Sequence, residues 1–316
     1  MQGRHSLGAC TKLFAVSPEA IIQLRDKSGR TFSREVHAEG ADRHAPDLFA
    51  PGMLALETRL LREVGRCSAD YQLIEPGDRV MLALSGGKDS YTLLHLLRSL
   101  QRRAPFDFDV LAVHVDQGQP GYEGEALERY LRQEGYDYRI IREDTYSIVI
   151  DKVAEGKTYC ALCSRLRRGI LYSAARDLGC NKLALGHHRQ DAIETLLLNM
   201  TFSGALSAMP PRLEPEGDNP VVIRPLYYVD ERQIAHFAEL MRFPILPCNL
   251  CGSQSGLMRK RVRTVLDDLM TLSPNALNSL GASLANVRPS HLADPALHRD
   301  AASDKVQDAA SQALDA

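Results

Sequence analysis

The alternation of strands and helices from residue 80 onward constrains the fold more than any other feature of this chain. A compact apolar run at 80–84 predicts a buried strand, and helical spacing of apolar residues over 91–102 follows it. The alternation continues with predicted strands at 110–115, 138–141, 182–185 and 221–223 and predicted helices at 125–134, 166–178, 192–199, 231–241 and 257–270. Strands separated by helices indicate βαβ units, so we predict an α/β fold with a doubly wound parallel sheet and a helical C-terminal part. Such a sheet binds its ligands at the carboxyl ends of its strands.

The chain divides into three segments by composition. Residues 1–50 have mixed polarity, with one possible strand at 20–24, and form an N-terminal extension of unknown role. Residues 51–292 begin with a predicted helix at 53–67 and contain the whole alternating pattern, so we expect one domain there. Residues 293–316 are rich in Ala and Asp and poor in large apolar side chains, which predicts a disordered tail.

Composition limits the classes of protein that this chain can belong to. Its 38 basic and 40 acidic residues give a net charge of −2, so any nucleic-acid binding must come from a local basic surface. The absence of Trp and an aromatic fraction of 6% argue against a broad base-stacking surface. The longest apolar runs fall far short of the roughly 20 residues that cross a bilayer, and no secretory signal is evident. We therefore expect a cytoplasmic protein without a membrane segment.

Six residues that follow the strand at 80–84 favour anion binding. They are Ser85, Gly86, Gly87, Lys88, Asp89 and Ser90. Two adjacent glycines let the backbone approach phosphate oxygens, Lys88 supplies positive charge, and the two serines supply hydroxyl donors at a helix N-terminus. The sequence contains neither the standard Walker-type loop nor the dinucleotide glycine pattern.

The segment Ser85–Ser90 resembles the SGGxDS signature of the PP-loop ATP pyrophosphatases, which cleave ATP between the α and β phosphates and adenylate a substrate. The resemblance implies that all six residues hold ATP phosphates and that Lys88 acts in catalysis. The strand end His114–Gly118 is similar to the segment beside the adenosine in that family, which implies that Asp116 helps to bind ATP. A strand-end Asp that caps a turn is the alternative.

Four of the seven cysteines form two Cys-x-x-Cys pairs. Cys160 and Cys163 stand immediately before the helix predicted at 166–178, and Cys248 and Cys251 form the second pair. In a reducing compartment this spacing favours metal or redox chemistry over a disulfide framework. Two such pairs on their own suit a structural zinc site, an iron–sulfur cluster or a dithiol redox pair, and unrelated buried cysteines are the remaining alternative.

Four motifs in order resemble the tRNA 2-thiocytidine synthetases, a family within the PP-loop superfamily. They are the PP-loop, Cys-x-x-Cys-Ser-Arg-Leu-Arg-Arg-Gly, Gly-His-His and Pro-Cys-Asn-Leu-Cys-Gly-Ser-Gln, and the resemblance covers about 54–292. It implies ATP-dependent 2-thiolation of cytidine 32 in tRNA, by adenylation of the C2 oxygen and sulfur transfer through a [4Fe–4S] cluster with one open iron. The implied cluster ligands are Cys160, Cys163 and Cys251. We prefer Cys251 to Cys248 because it matches the ligand position of the family and precedes Gly252.

The Gly-His-His motif follows the strand predicted at 182–185 and opens a helix. The resemblance implies that Gly186 contacts the nucleotide and that Asp191 acts in catalysis by helping to hold Mg²⁺ on the ATP phosphates. The family usually has Asp-Asp where this chain has Gln190-Asp191, which weakens any role for position 190. An acidic residue that serves the helix dipole is the alternative for Asp191.

Two basic groups adjoin the cysteine pairs. Arg165, Arg167 and Arg168 follow the first pair, and we predict that they bind tRNA phosphates. A second group at 259–263 follows the second pair, where RNA contact and a solvated helix face are equally supported. We expect recognition of tRNA by shape and backbone with the target base flipped out.

The resemblance also implies partners: tRNA, a sulfur donor system such as a cysteine desulfurase, and a second copy of the chain in a homodimer. Two other functions fit part of the pattern. A PP-loop tRNA ligase of the lysidine-synthetase type would use the same loop but does not need two cysteine pairs. A zinc-stabilised RNA-binding module without ATP chemistry would use the cysteines and leave the intact loop unexplained.

Overall fold

The computed structural model describes residues 19–25, 31–37, 52–119, 122, 124–152, 160–214, 217–246 and 254–297. The chain forms two compact units, Met1–Ala45 and Pro46–Ala316. In the first unit, strands β1 (Glu19–Arg25) and β2 (Thr31–His37) pair antiparallel. The sequence predicted the first of these strands and missed the second. Most of the predicted tail, from residue 298 onward, lies outside the described residues.

The second unit contains an alternating series of strands and helices. The elements are α1 (Met53–Asp70), β3 (Arg79–Ala83), α2 (Lys88–Gln101), β4 (Asp109–Asp116), α3 (Glu125–Gln133), β5 (Tyr138–Arg142), α4 (Thr145–Lys152), α5 (Cys160–Asp177), β6 (Lys182–Ala184), α6 (Arg189–Phe202), β7 (Arg212–Leu213), β8 (Val221–Ile223), a 3₁₀ turn (Pro225–Tyr228), α7 (Glu231–Met241), α8 (Gln254–Leu272), α9 (Ala276–Ser283) and a 3₁₀ turn (Pro289–His291). Every strand and helix that the sequence predicted between residues 53 and 270 is present, which confirms the predicted α/β alternation.

The second unit is built on a six-stranded sheet with the order β5-β4-β3-β6-β8-β7. Strands β3, β4, β5, β6 and β8 are parallel, and the short strand β7 pairs antiparallel with β8 at one edge. The strand order reverses between β3 and β6, which are neighbours although four helices and two strands separate them in sequence. This reversal opens a crevice at the carboxyl ends of β3 and β6, the position at which doubly wound sheets bind their ligands.

Both faces of the sheet are buried, which explains the continuous apolar runs in the sequence. Along β3, Val80 and Leu82 pack into one core with α1, α2, α3 and α7, whereas Met81 packs into a second core with α5. A third, smaller cluster of Ile193, Leu266 and Leu277 joins α6 to α8 and α9. None of the helices in the described part of the chain has the length and apolar character needed to cross a membrane.

Candidate active site at the strand switch point

The six residues of the predicted phosphate loop form a tight turn between β3 and α2. Gly86 has a φ of 81°, a backbone conformation that suits glycine, and Gly87 is extended before the helix begins at Lys88. The Ser90 hydroxyl holds the turn together: it donates to the Gly87 carbonyl at 2.9 Å and accepts from the Ser85 backbone N–H at 3.2 Å. Because α2 starts at Lys88, three residues earlier than predicted, its first N–H groups face the loop without partners inside the helix.

A second segment of chain packs directly on this loop. The Leu246 N–H donates to the Gly86 carbonyl at 2.9 Å, and a Cβ at position 86 would lie 2.6 Å from Leu246 Cδ1. The Tyr91 hydroxyl donates to the Pro244 carbonyl at 3.1 Å, and its ring stacks on Phe243. These contacts fix residues 243–246, which lead toward the second cysteine pair, against the phosphate loop.

Gly186, which follows β6, packs against the start of α2. A Cβ at this position would lie 3.1 Å from the backbone of both Asp89 and Ser90, so a larger residue would push the two motifs apart. The structure therefore brings Gly186 to the phosphate loop, and contact between Gly186 and the nucleotide stays a prediction.

Lys88 is held between two carboxylates. Its Nζ lies 2.8 Å from Asp89 Oδ1 and 3.0 Å from Glu231 Oε1, the first residue of α7. Burial acts to lower the pKa of Lys88, but the hydrogen bonds and charges of these carboxylates outweigh it and raise that pKa. Burial likewise acts to raise the pKa of Glu231, and the nearby positive charges, Lys88 first among them, lower it. The ammonium group is thus charged and positioned at the loop.

His188 and Asp191 lie beside this ion pair. The Asp191 Oδ2 atom accepts the His188 backbone N–H at 2.9 Å and lies 3.4 Å from His188 Nε2. The His188 ring is buried, and its Nε2 lies 3.9 Å from Asp89 Oδ1 and 3.8 Å from Glu231 Oε1. Asp191 therefore caps the N-terminus of α6, which is the alternative role considered for it in the sequence. It also belongs to the set of carboxylates that surround the phosphate loop.

A fully buried carboxylate, Glu194, lies one turn further along α6. Its Oε1 accepts from Arg263 Nε of α8 at 2.6 Å, and Arg259 lies 4.0 Å from its Oε2. Burial raises the pKa of Glu194, and the guanidinium of Arg263 opposes that rise. Arg259 and Arg263, from the second basic group, therefore face carboxylates of the site.

Gln190 links the starts of α6 and α7. Its Nε2 donates to Asp230 Oδ1 at 3.0 Å, and its Oε1 accepts the Glu231 backbone N–H at 3.0 Å. Asp230 caps α7 and also pairs with Arg189 at 2.7 Å. The sequence analysis weakened any role for position 190, but in the structure Gln190 holds both Asp230 and the backbone of Glu231, the partner of Lys88.

The end of β4 forms a separate group at the same edge of the sheet. Asp116 accepts the Gly118 N–H at 3.0 Å and lies 4.0 Å from Arg142 Nε, so it does cap a turn. The buried His114 ring bonds the Leu84 carbonyl at 2.7 Å and the Tyr122 hydroxyl at 2.6 Å. Among the described contacts, Asp116 has none to the phosphate loop, and ATP binding by Asp116 stays a prediction.

The first cysteine pair occupies a different position from the one predicted. Helix α5 begins at Cys160, so Cys160 and Cys163 belong to its first turn and do not precede the helix. Their side chains, together with Cys248 and Cys251, lie outside the described part of the chain. The two other described cysteines, Cys67 and Cys180, are buried, and burial raises the pKa of Cys67 to about 12.

The three arginines that follow the first pair are exposed on α5. Arg165, Arg167 and Arg168 form no ion pair within the described part of the chain. Burial lowers the pKa of His114, and the nearby charge of Arg167 adds to that lowering, which places the start of α5 near the end of β4. The basic group is therefore accessible beside the crevice.

Sequence reasoning missed four functional candidates: Glu231, His188, Glu194 and Gln190. Glu231 carried a usable signal, because it opens a helix that follows a strand of the parallel sheet and so lies at the carboxyl edge. Glu194 carried a weaker one, since it lies three residues after Asp191 and shares its helix face.

The sequence of this chain is similar to those of known proteins. A family model described as the PP-loop domain matches residues 56–266. The chain is 55% identical over 247 residues to the tRNA-cytidine(32) 2-sulfurtransferase of Anaeromyxobacter sp. (strain K), covering 78% of this chain and 85% of that protein. It is 52% identical over 246 residues to the protein of the same name from Ralstonia pickettii (strain 12J), covering 78% of each.

The fold is also similar to that of a solved structure, the U34-tRNA thiolase NcsA from Methanococcus maripaludis with its [4Fe-4S] cluster. The TM-score is 0.60 at 22% identity, and the match covers 74% of this chain and 79% of the thiolase. At this identity the likeness establishes a shared fold.

Proposed function

Because this chain belongs to the tRNA-cytidine(32) 2-sulfurtransferases, ATP-using enzymes with a PP-loop domain, we propose that it replaces the C2 oxygen of cytidine 32 in tRNA with sulfur. The observation that carries the proposal is the phosphate loop at the strand switch point, with Lys88 charged and fixed between Asp89 and Glu231. The lysidine-synthetase and zinc-module alternatives receive no support from the named relatives.

The first step of the proposed reaction activates the base. The C2 oxygen forms a bond to the α-phosphorus of ATP, the bond between the α-phosphorus and the bridging oxygen breaks, and pyrophosphate leaves with that electron pair. Lys88 and the first N–H groups of α2 are placed to neutralise charge on the departing pyrophosphate. In the second step sulfide forms a bond to C2 and AMP leaves, because adenylation has converted a poor leaving group into a good one.

Glu231 and His188 prepare Lys88 for this role. Glu231 Oε1 lies 3.0 Å from the ammonium group of Lys88, and His188 Nε2 lies 3.8 Å from the same oxygen. Preorganised charge needs no rearrangement in the transition state, which is the basis of its catalytic effect.

The residues present fit a magnesium ion that is shared with ATP. Among the described residues, no group of three or more His, Cys, Asp or Glu side chains converges into a ready-made metal site. Mg²⁺ on a nucleotide normally takes one or two carboxylates and several phosphate and water oxygens, and Asp191 with Asp89 meets that requirement. When bound, the ion would neutralise phosphate charge during adenylation.

The cysteine-bearing segments fit an iron–sulfur cluster beside this site. Cys160 and Cys163 lie in the first turn of α5, and Leu246, two residues before Cys248, is bonded to the phosphate loop. We assign the cluster to Cys160, Cys163 and Cys251, because the family resemblance implies these ligands. A [4Fe–4S] centre is commonly held by four cysteines, so three would leave one iron without a protein ligand. The thiolase with a similar fold has a [4Fe-4S] cluster. When bound, the cluster would hold the sulfide that is transferred.

The remaining parts of the proposal concern partners and location. Arg165, Arg167 and Arg168 are exposed beside the crevice, which supports their binding of tRNA phosphates. A sulfur donor system such as a cysteine desulfurase supplies the sulfur, and the chain acts as a homodimer. The reaction takes place in the cytoplasm, where tRNA is available and thiols stay reduced. Residues 51–292 form the catalytic domain in this assignment.

The proposed function is tested by incubating anaerobically purified protein with unmodified tRNA, Mg·ATP and sulfide, followed by mass spectrometry of the digested nucleosides. We expect 2-thiocytidine at position 32 that requires ATP. Formation of lysidine from added lysine, or tRNA binding without any modified nucleoside, would show that the proposed activity is wrong.

The cluster assignment needs a separate measurement. Iron, acid-labile sulfide and zinc are determined on anaerobic protein and on Cys160→Ala, Cys163→Ala, Cys248→Ala and Cys251→Ala variants. We expect about four irons and four sulfides per chain, retained in the Cys248 variant and lost in the other three. Stoichiometric zinc without sulfide, or loss in the Cys248 variant with retention in the Cys251 variant, would contradict the assignment.

A further inference from the structure

A network of charged and polar side chains joins the phosphate loop to helix α8. We name it the charge ring, and its members are Lys88, Glu231, Arg263, Glu194, Arg259, Asp191 and His188. The successive separations between charged or polar atoms are 3.0, 3.8, 2.6, 4.0, 3.8 and 3.4 Å. His188 lies 3.8 Å from Glu231, so six members form a closed ring and Lys88 is attached to it through Glu231. The ring contains residues from α2, α6, α7 and α8.

Glu194 is the fully buried carboxylate of the charge ring. Its side chain has 0% exposure, whereas Arg259 and Arg263 are about half exposed. Its Oε2 has no hydrogen-bond partner within the described residues. Burying this oxygen therefore lowers the stability of the fold, and packing alone does not explain why a carboxylate is present here. The ring shows no direct contact between Glu194 and Lys88, so any effect of Glu194 on the reaction must pass through Arg263 to Glu231 or through Arg259 to Asp191.

Helix α8 carries two members of the charge ring and follows the second cysteine pair in the sequence. Helix α8 begins at Gln254, three residues after Cys251, and Arg259 and Arg263 lie in its second and third turns. On the other side of the cysteine pair, Leu246 is bonded to the phosphate loop at Gly86. The described residues on both sides of the second cysteine pair are therefore fastened to the ATP site.

We propose that Glu194 is a positioning residue for sulfur transfer. By holding Arg263, it fixes α8, which begins three residues after Cys251 in the sequence, against the starts of α6 and α7. The inference rests on the proposed function, since it assigns the second cysteine pair to the sulfur-transfer step. It predicts that the Glu194–Arg263 pair affects turnover without taking part in binding either substrate.

The test compares kcat and KM for tRNA thiolation in Glu194→Gln, which keeps the shape of the side chain and removes its charge. Misplacement of a reacting group by about 1 Å can cost about 100-fold in rate, so we expect kcat to fall at least about 10-fold. The KM values for ATP and tRNA should change by less than about 3-fold, because the variant keeps the groups that touch them. A wild-type kcat, or a change confined to KM, would overturn the proposal.

Two further variants separate positioning from a general loss of structure. Arg263→Gln removes the exposed partner and should reproduce the kcat loss, and the double variant should be no worse than either single one because both break the same pair. Asp268→Asn removes an exposed carboxylate from α8 and serves as the matched control. Equal losses in this control, or additive losses in the double variant, would contradict the proposal.

Hydrogen exchange of α8 tests the anchor independently of catalysis. We expect backbone amides within 258–272 to exchange faster in Glu194→Gln than in wild-type protein or Asp268→Asn. If the wild-type protein does not thiolate tRNA but the exchange difference is present, the proposed function fails while the anchor stands. Unchanged exchange in the variant would overturn the anchor whatever the activity.

Discussion

The two sides of the crevice use their charged residues in opposite ways. On the phosphate side, every member of the charge ring has an oppositely charged or hydrogen-bonding neighbour within 4.0 Å. On the α5 side, Arg165, Arg167 and Arg168 are exposed and form no ion pair within the described part of the chain. Both sides looked alike in the sequence, where each basic group follows a cysteine pair.

The role of a run of basic residues depends on whether it faces carboxylates or solvent in the folded protein. Arg259 and Arg263 face buried or half-buried carboxylates, so their charges are paired within the protein and stabilise the ATP site. The α5 arginines face solvent, which leaves them available for a large anionic partner. We therefore expect the two sides to separate experimentally, with ATP chemistry on one and tRNA affinity on the other.

The largest effect is expected from Lys88→Met. Removal of a preorganised charge at departing pyrophosphate should lower the rate of tRNA-dependent pyrophosphate release by about 100- to 1,000-fold. The affinity for tRNA, measured by filter binding, should stay within about 2-fold because Lys88 is engaged on the phosphate side. A loss of tRNA affinity in this variant would show that ATP chemistry and tRNA binding do not belong to separate sides of the crevice.

The reciprocal test replaces Arg165, Arg167 and Arg168 together by Gln. If each contacts a phosphate, tRNA affinity should fall by about 10- to 100-fold and the salt dependence of log K should weaken by about 2 units. A control triple variant changes three exposed arginines elsewhere, Arg132, Arg139 and Arg288. An equal loss in the control would mean that net charge, and not the α5 position, governs binding.

Gly86→Ala tests the packing of the phosphate side. The new Cβ would adopt an unfavourable φ of 81° and lie 2.6 Å from Leu246 Cδ1, so we expect a loss of about 2 kcal/mol in unfolding free energy and weaker ATP binding. Gly65→Ala is the matched control, because Gly65 lies inside α1 with nothing within 4 Å of a new Cβ. That control should be neutral or stabilising, and equal destabilisation of both variants would contradict the packing argument.

Gln190→Asp tests the link between α6 and α7. The aspartate carboxylate is one methylene shorter than the glutamine amide, so it would lose both hydrogen bonds and add a negative charge near Asp230. The unfolding free energy should fall by about 1 to 2 kcal/mol. Gln190→Ala loses both hydrogen bonds without adding charge, so the difference between the two variants isolates the repulsion. If urea denaturation shows the Asp variant to be as stable as wild type, the assigned link is wrong.

The smallest expected effect concerns pH and His187. Burial lowers the pKa of His187 to about 4, with the charge of Arg224 adding to the fall and Asp191 opposing it. Because the unfolded imidazole has a pKa of about 6.5, the unfolded state binds the proton first, and stability should decline as pH falls from about 6.5 to 4. His187→Gln should remove about 1 to 2 kcal/mol of this decline, which denaturation at several pH values would measure. An unchanged pH slope in the variant would contradict the assignment.

The sheet and its crevice were predictable because their signals are local. Buried parallel strands produce continuous apolar runs such as Val80–Leu84, and the glycines of the phosphate loop and of Gly186 mark close backbone approach. The signal failed for β2 in the first unit and for α4 and α9 in the second, and the start of α5 was placed six residues late. Cys160–Arg165 has little apolar periodicity, so spacing alone did not reveal the first turn of that helix.

The charge ring was not predictable because its pairs are distant in sequence. Lys88 and Glu231 lie 143 residues apart, and Glu194 and Arg263 lie 69 residues apart, so nothing local identifies either pair. Gln190 shows the same limit: it departs from the usual Asp, and the compensating neighbour, Asp230, lies 40 residues away. Tertiary folding decides which charges meet.

The most direct test of the central claim follows the fate of ATP labelled at the α-phosphate during tRNA thiolation under anaerobic conditions. We predict one labelled AMP and one pyrophosphate for each 2-thiocytidine formed. AMP formation should depend on tRNA and be about 100- to 1,000-fold slower in Lys88→Met. Thiolation accompanied by ADP and orthophosphate, or AMP release that is independent of tRNA, would contradict a phosphate loop that adenylates the base.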